Sequence, residues 1–237
     1  MIKIIDKSEC AGCRACWAKC PTHCISMQQD EEGFLYPVVD EDNCVKCGMC
    51  DKICPNNEQD ENNKIDKIRS FAVVNSDEKV LEESSSGGAF SLLADYVIEN
   101  NGVVFGASMT NDCKAVHHIF INKKDELPLL RGSKYAQSDL GDSYKKVEIF
   151  LAEGKKVLFS GTPCQVNGLK KYLGREYKNL YCVDFICHGV PSSLVLQKYL
   201  EFIENKLKSK ITKVVFRDKN RGGGALNVDK KRKWKRI

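Results

Sequence analysis

The chain has 237 residues, 42% of them apolar and 29% charged, enough for one large or two small domains with a buried core, which excludes wholesale disorder. Its formal charge of +5 resides in the last nine positions, where Lys230, Lys231, Arg232, Lys233, Lys235 and Arg236 face one acid, Asp229. The remainder is neutral, so no general basic face for nucleic acid is indicated.

No apolar run approaches the ~18 residues of a membrane span, and Met1 to Asp6 lead straight into cysteines without a signal-peptide core. A soluble cytoplasmic protein is expected. In that reducing compartment, thirteen cysteines, nine of them in residues 1–54, point to metal or cluster ligation rather than disulfides.

Cys10, Cys13, Cys16 and Cys20 with Pro21 read CxxCxxCxxxCP, and Cys44, Cys47, Cys50 and Cys54 with Pro55 repeat it 34 residues on. Gly12 and Gly48 ease the tight turns and the prolines end them. A pair of zinc sites would instead favour two separated CxxC knuckles for each metal. The duplicated module resembles the bacterial two-cluster ferredoxin domain over residues 1–56. That resemblance implies that the fourth cysteine of each module serves the other cluster: Cys10, Cys13, Cys16 and Cys54 for one 4Fe–4S cluster, Cys44, Cys47, Cys50 and Cys20 for the second. Cys24 lies outside the pattern and is expected to be a packing residue, with His23 a surface group. Residues 33–39 read as an extended segment covering the clusters.

Residues 57–69 are polar and read as a linker. Beyond them, short apolar runs alternate with amphipathic stretches. Strands are predicted at 71–75, 103–107, 116–121, 157–160, 181–187 and 211–216, and helices at 88–99, 144–153, 165–173 and 193–207. The last helix is marked by its Leu196, Leu200, Ile203, Leu207 stripe. The alternation predicts an α/β domain with a mostly parallel sheet. The fold class is therefore an α+β ferredoxin-like N-terminal domain followed by this α/β domain.

Four loops carry chemistry-ready residues. Ser84, Ser85, Ser86, Gly87 and Gly88 precede a helix, where hydroxyls and free amides hold a phosphate or simply cap the helix. Arg131, Gly132, Ser133, Lys134 and Tyr135 offer two cations, a hydroxyl and a ring suited to a dinucleotide, or form a solvated loop. Gly161 to Gln165 place Cys164 in a first helical turn, and Cys187 and His188 follow the next strand. Cys113 and Cys182 read as packing residues, and the adjacent His117 and His118 point to opposite faces of a strand, which argues against a shared metal.

The motifs SSGGAF (85–90), GSKYAQS (132–138), GTPCQ (161–165) and CHGVPS (187–192), in this order behind a ferredoxin module, resemble the beta subunit of coenzyme F420-reducing hydrogenase and its relatives over residues 71–218. The resemblance implies an oxidoreductase with FAD in the α/β domain, contacted by Ser85, Ser86, Gly87, Gly88, Gly132, Ser133, Lys134, Tyr135 and His188. It implies further that Cys164 and Cys187 help ligate a third 4Fe–4S cluster, although no cysteine follows Cys187 to complete it. The redox partner would be a protein or carrier such as ferredoxin, the deazaflavin coenzyme or NAD(P)H. No catalytic residue is assigned.

This organisation gives a two-cluster domain at 1–56, a linker at 57–69, an incomplete flavin domain at 70–218 and an irregular basic tail at 219–237. The tail reads as the end of a truncated or frame-shifted product, or as a basic arm with Trp234 as an anchor. The alternative function is a ferredoxin-type electron-transfer module without catalysis.

Overall fold

A computed structural model describes residues 1–4, 6–57, 69–217, 219, 227–230 and 235–236. Most of the expected linker, residues 58–68, lies outside the described residues.

The two cysteine modules repeat in three dimensions. Helix α1 (Ala15–Lys19) begins after left-handed Arg14 (φ 61°), and α2 (Met49–Lys52) after left-handed Gly48 (φ 72°), 34 residues later. A second left-handed pair, Gly12 (φ 63°) and Lys46 (φ 52°), precedes them at the same offset. Two such positions in each module curl the chain around its cysteines. Glycine occupies one of the two in each copy, where a β-carbon would cost strain. Between the modules, β1 (Ile25–Gln29) and β2 (Leu35–Val39) form an antiparallel hairpin. Ile2, Cys16, Cys20, Cys24, Ile25 and Cys50 make a small core beside it.

The larger part begins with α3 (Glu78–Glu83) and α4 (Ala89–Glu99). Then follow β3 (Val103–Met109), β4 (Val116–Ile121), α5 (Leu127–Leu130), β5 (Ser138–Asp139) and α6 (Ser143–Ala152). Next come β6 (Val157–Ser160), α7 (Pro163–Leu173), β7 (Leu180–Val183), α8 (Ser193–Leu207) and β8 (Ile211–Val215). The sheet order is β5-β4-β3-β6-β7, parallel at every pairing but β3 with β4. The expected mostly parallel sheet is therefore present.

Alternation along the strands fills two layers of core. Val103, Phe105, Val157 and Phe159 face α6 and α7, whereas Val104, Leu158 and Ile121 face α4 and α5. Ala15, Ala18 and Ile53 of the cysteine modules join the first layer, so this segment is seated on the α6/α7 face. A second seat lies at the hairpin turn, where Ser192 Oγ donates to Glu32 O at 2.5 Å.

Three expectations need correction. Residues 71–75 form no strand: Phe71 and Val74 are exposed, and the Asn75 N–H reaches the carbonyl of Gly87 in the loop before α4 instead of a sheet neighbour. The strand predicted at 181–187 ends at Val183, leaving Cys187 exposed in a loop. The basic tail is not irregular throughout, because β9 (Asn227–Lys230) pairs antiparallel with β8 and with β10 (Lys235–Arg236). A ladder joins backbone groups, so a free edge can recruit a segment that lacks an apolar run.

Glu204 ties α8 to β8. Its carboxylate accepts the Ile211 N–H at 3.0 Å and meets Lys210 Nζ at 3.1 Å and Lys114 Nζ at 3.6 Å. Burial pushes this carboxyl up, but the Ile211 amide and the two ammonium groups outweigh it and hold it below its ordinary 4.5. The folded value is the lower one, so the stabilisation is complete above the ordinary value and fades as pH falls through the folded one. Glu204→Gln is expected to cost ~1–2 kcal/mol at neutral pH. Urea unfolding at neutral pH and at about pH 3 checks this: the difference should shrink in acid, and an undiminished one contradicts the ionic origin.

Candidate functional site

Iron–sulfur ligation requires thiolates, and the two modules gather theirs differently. Cys20, Cys44, Cys47 and Cys50 line one cavity, closed on one side by Ile25 and Val39. The Ile2 N–H donates to Cys50 Sγ at 3.1 Å. Burial pushes Cys20 up, but hydrogen bonds from Thr22 and Cys24 outweigh it and hold its thiol below the ordinary value. Cys24, expected to be a packing residue, lines this cavity too, with Sγ 3.5 Å from Cys20 Sγ. Its spacing outside the repeat conceals its place beside Cys20.

Cys10, Cys13 and Cys16 form the other group. Burial pushes Cys13 up to about 11 and Cys16 up to about 12, and the charge of Cys54 raises all three. The Gly12 and Ala15 amides donate to Cys10 and Cys13 and oppose that rise. Buried thiols of this kind stay protonated alone, and bound iron inverts that balance by supplying positive charge. The donor set of four sulfurs with inward-pointing amides fits an iron–sulfur cube.

The loop Cys10-Ala11-Gly12 also forms one wall of a cleft of about 1220 Å³. This cleft opens at the carboxyl end of β6 and beside Gly106 and Ala107 of its neighbour β3, although the chain visits β4 and β5 between the two strands. Such a switch point is where open α/β sheets bind ligands. Ser85, Ser86, Gly87 and Gly88 line it, and so do Gly132, Ser133, Lys134 and Tyr135. The two loops are bonded to each other, since the Ser133 N–H donates to Ser85 Oγ at 2.8 Å and the two hydroxyls lie 2.9 Å apart. Lys134 Nζ donates to the carbonyls of Leu129 and Arg131, and burial pushes its ammonium down to about 8. Arg131 is held by Glu83 and Ser91.

Cys164, Cys187 and His188 line the same cleft. Cys164 occupies the first turn of α7, where its Sγ lies 3.1 Å from Thr162 Oγ1, while the Thr162 N–H donates to Gln165 Oε1 at 3.0 Å. Sequence reasoning missed the contributions of Phe71, Val73, Phe185, Ile186 and His118 to the lining. For residues 71–74 the sequence holds no signal that separates them from a strand, and only their exposure in the structure does so. The charged side chains of the lining are Lys7, Arg131, Lys134 and Arg217, and no carboxylate joins them among the described residues. The cleft thus offers cations and hydroxyls to an anion and apolar walls to a ring, a donor set that fits a dinucleotide. Cys164 and Cys187 supply two sulfurs, which do not fit a four-cysteine cube by themselves.

Residues 154–237, a stretch that includes the basic tail, match the family model for the C terminus of the coenzyme F420 hydrogenase/dehydrogenase beta subunit, and residues 9–57 match a 4Fe-4S dicluster domain. The chain is 28% identical over 210 residues to the coenzyme F420-dependent sulfite reductase of Methanocaldococcus jannaschii, covering 84% of this chain and 30% of that protein. It is 21% identical over 240 residues to the F subunit of the F420H2 dehydrogenase of Methanosarcina mazei, covering 90% of this chain and 65% of that one. The chain therefore spans less than two thirds of the length of either relative. A structure of the F420-reducing nickel–iron hydrogenase complex from Methanosarcina barkeri shares the fold, with a TM-score of 0.50 at 19% identity over 69% of this chain and 58% of the other. No helix of the described residues is long and apolar enough to cross a membrane. Residues 154–237 therefore carry the C-terminal domain of the coenzyme F420 hydrogenase/dehydrogenase beta subunit family behind a 4Fe–4S dicluster domain at residues 9–57, a combination similar to that of iron–sulfur electron-transfer oxidoreductases.

Proposed function

We propose that this chain is an iron–sulfur flavoprotein passing electrons between two 4Fe–4S clusters and an FAD in the cleft. One observation carries the reading: the cysteine loop Cys10-Ala11-Gly12 and the two serine–glycine loops wall the same acid-free cleft. Bound FAD would exchange two electrons with a substrate and one at a time with the clusters. Ser85 to Gly88 and Ser133 would hold its phosphates at the start of α4, with Lys134 neutralising their charge. Tyr135, which meets Phe216 edge-on at 5.6 Å, and Phe185 would exclude water from the ring. His188 would lie at the rim.

Residues 1–56 form the ferredoxin-like relay in this reading. Cys10, Cys13, Cys16 and Cys54 hold the cluster beside the cleft, and Cys20, Cys44, Cys47 and Cys50 hold the outer one. The outer cluster would meet a redox protein. The substrate would be a two-electron carrier of the deazaflavin or nicotinamide class, coenzyme F420 being named in both relatives. No step is routed through a third cluster at Cys164 and Cys187.

Anaerobic reconstitution followed by iron, sulfide and flavin quantification tests the reading. About eight irons and about one FAD per chain are expected. About eight irons with no flavin would overturn it in favour of a ferredoxin-type module. Cys164→Ser combined with Cys187→Ser should leave the iron content unchanged.

A further inference from the structure

Of the two adjacent histidines on β4, only His118 reaches the cleft. Its imidazole is 8% exposed and lies nearly parallel to Phe159, with centroids 5.4 Å apart and planes at 16°. Its Nε2 stands 3.0 Å from the carbonyl oxygen of Ser160. A carbonyl only accepts, so Nε2 carries the ring proton and Nδ1 presents a bare lone pair. Burial pushes the imidazole pKa down to about 4, which keeps the ring neutral. Among the described residues, Nδ1 of His118 is the one buried side-chain polar atom without a hydrogen-bond partner.

Buried polar atoms are almost always satisfied in folded proteins, and His118 lines a ligand-sized cleft, so its buried, unpartnered acceptor calls for a donor. The charged side chains of the cleft are all cations, which only donate. A heteroaromatic ring with an N–H therefore finds its complement at His118 and not at those cations. The geometry points to His118 as the hydrogen-bond acceptor for an N–H or O–H group of the redox ligand bound in the cleft, an assignment that rests on the flavin reading above. A flavin carries such donors at its imide N–H and its ribityl hydroxyls, and gains another at N5 on two-electron reduction.

Two substitutions separate this role from a structural one. His118→Gln keeps a donor where Nε2 meets Ser160 and lacks the acceptor at the Nδ1 position. His118→Asn keeps a carbonyl near the Nδ1 position and abandons Ser160. Titration of the deflavinated protein with FAD should show Gln binding about tenfold more weakly than the parent and Asn within about threefold. The reverse order would mean that only the Ser160 bond matters, and equal affinities would mean that Nδ1 meets water. Either result overturns the assignment while leaving the flavin reading intact. A parent protein that binds no FAD overturns both. Should neither variant fold, the ¹⁵N spectrum of histidine-labelled parent protein decides: FAD must move the His118 Nδ1 resonance toward its hydrogen-bonded position, and an unmoved resonance overturns the assignment.

Discussion

Cys13→Ala and Cys54→Ala should each remove the same cluster, and the double variant should lose no more iron than either one. The parent is expected to hold about eight irons per chain, each single variant about four, and Cys13→Ala/Cys54→Ala again about four. Cys44→Ala/Cys54→Ala, by contrast, should hold almost none, because its two sites belong to different cubes. Groups that act as one unit give non-additive losses, and independent groups give additive ones. Chain order would pair Cys54 with Cys44 and reverse both outcomes.

The crosswise pairing rests on which thiols are close. The charge of Cys54 raises Cys10, Cys13 and Cys16 of the other module. Cys20 shares its cavity with Cys44, Cys47 and Cys50. Each module has the same local build: α1 and α2 hold the third cysteine, and the fourth follows at or just past the helix end. Iron analysis after anaerobic reconstitution decides the matter. Loss of all iron in Cys13→Ala/Cys54→Ala, with half retained in Cys44→Ala/Cys54→Ala, would refute the pairing.

Much of the α/β part was legible because its signals are local and periodic. The Leu196, Leu200, Ile203 stripe is buried on α8 as its spacing requires. The short apolar runs became β3, β4 and β6, whose alternate residues serve two core layers. Where apolar residues serve a cleft instead of a sheet, the same signal misleads. Phe71 and Val73 alternate like a strand yet line the cleft, and Phe185 and Ile186 extend the β7 pattern past its end for the same reason. The tail fails in the opposite sense, since β9 needs only a backbone edge to pair with β8.

Residue types at the candidate site were legible, but their juxtaposition was not. Spacing marks Cys24 as outside the repeat, and only the fold sets it beside Cys20. His118 looked like one of an uninformative pair. The role proposed for it depends on Ser160 and Phe159, about forty residues away, which no local pattern connects to it. The seat of the cysteine modules on the α6/α7 face is likewise a long-range fact, and its closest approach depends on one small residue.

That residue is Gly168, in the middle of α7. A β-carbon there would stand 2.7 Å from Tyr144 Oη and 3.1 Å from both Cβ and Sγ of Cys13. Tyr144 has no room to yield: it is 2% exposed, and its hydroxyl donates to the carbonyl of Gln165 at 2.7 Å. The cysteine module is the more movable partner, because Cys13 belongs to a loop and Tyr144 to the packed interior. Gly168→Leu is therefore expected to push the Cys13 loop away from α7, at a cost of ~1–3 kcal/mol, with Gly168→Ala showing a smaller loss. Iron content should persist, since the ligands of both clusters lie within residues 10–54 of the moving module. Electron exchange between clusters and cleft should slow by at least about tenfold, because a packed interface holds reacting groups in place and a shift of about 1 Å is costly. With FAD bound as proposed, stopped-flow reduction of that flavin by chemically reduced clusters measures that rate. Asn167→Leu, which adds bulk to the exposed position one residue earlier on the same helix, is the control and should leave it unchanged. A Gly168→Leu protein with undiminished stability and an unchanged rate would show that the cysteine module does not sit on α7 when electrons pass.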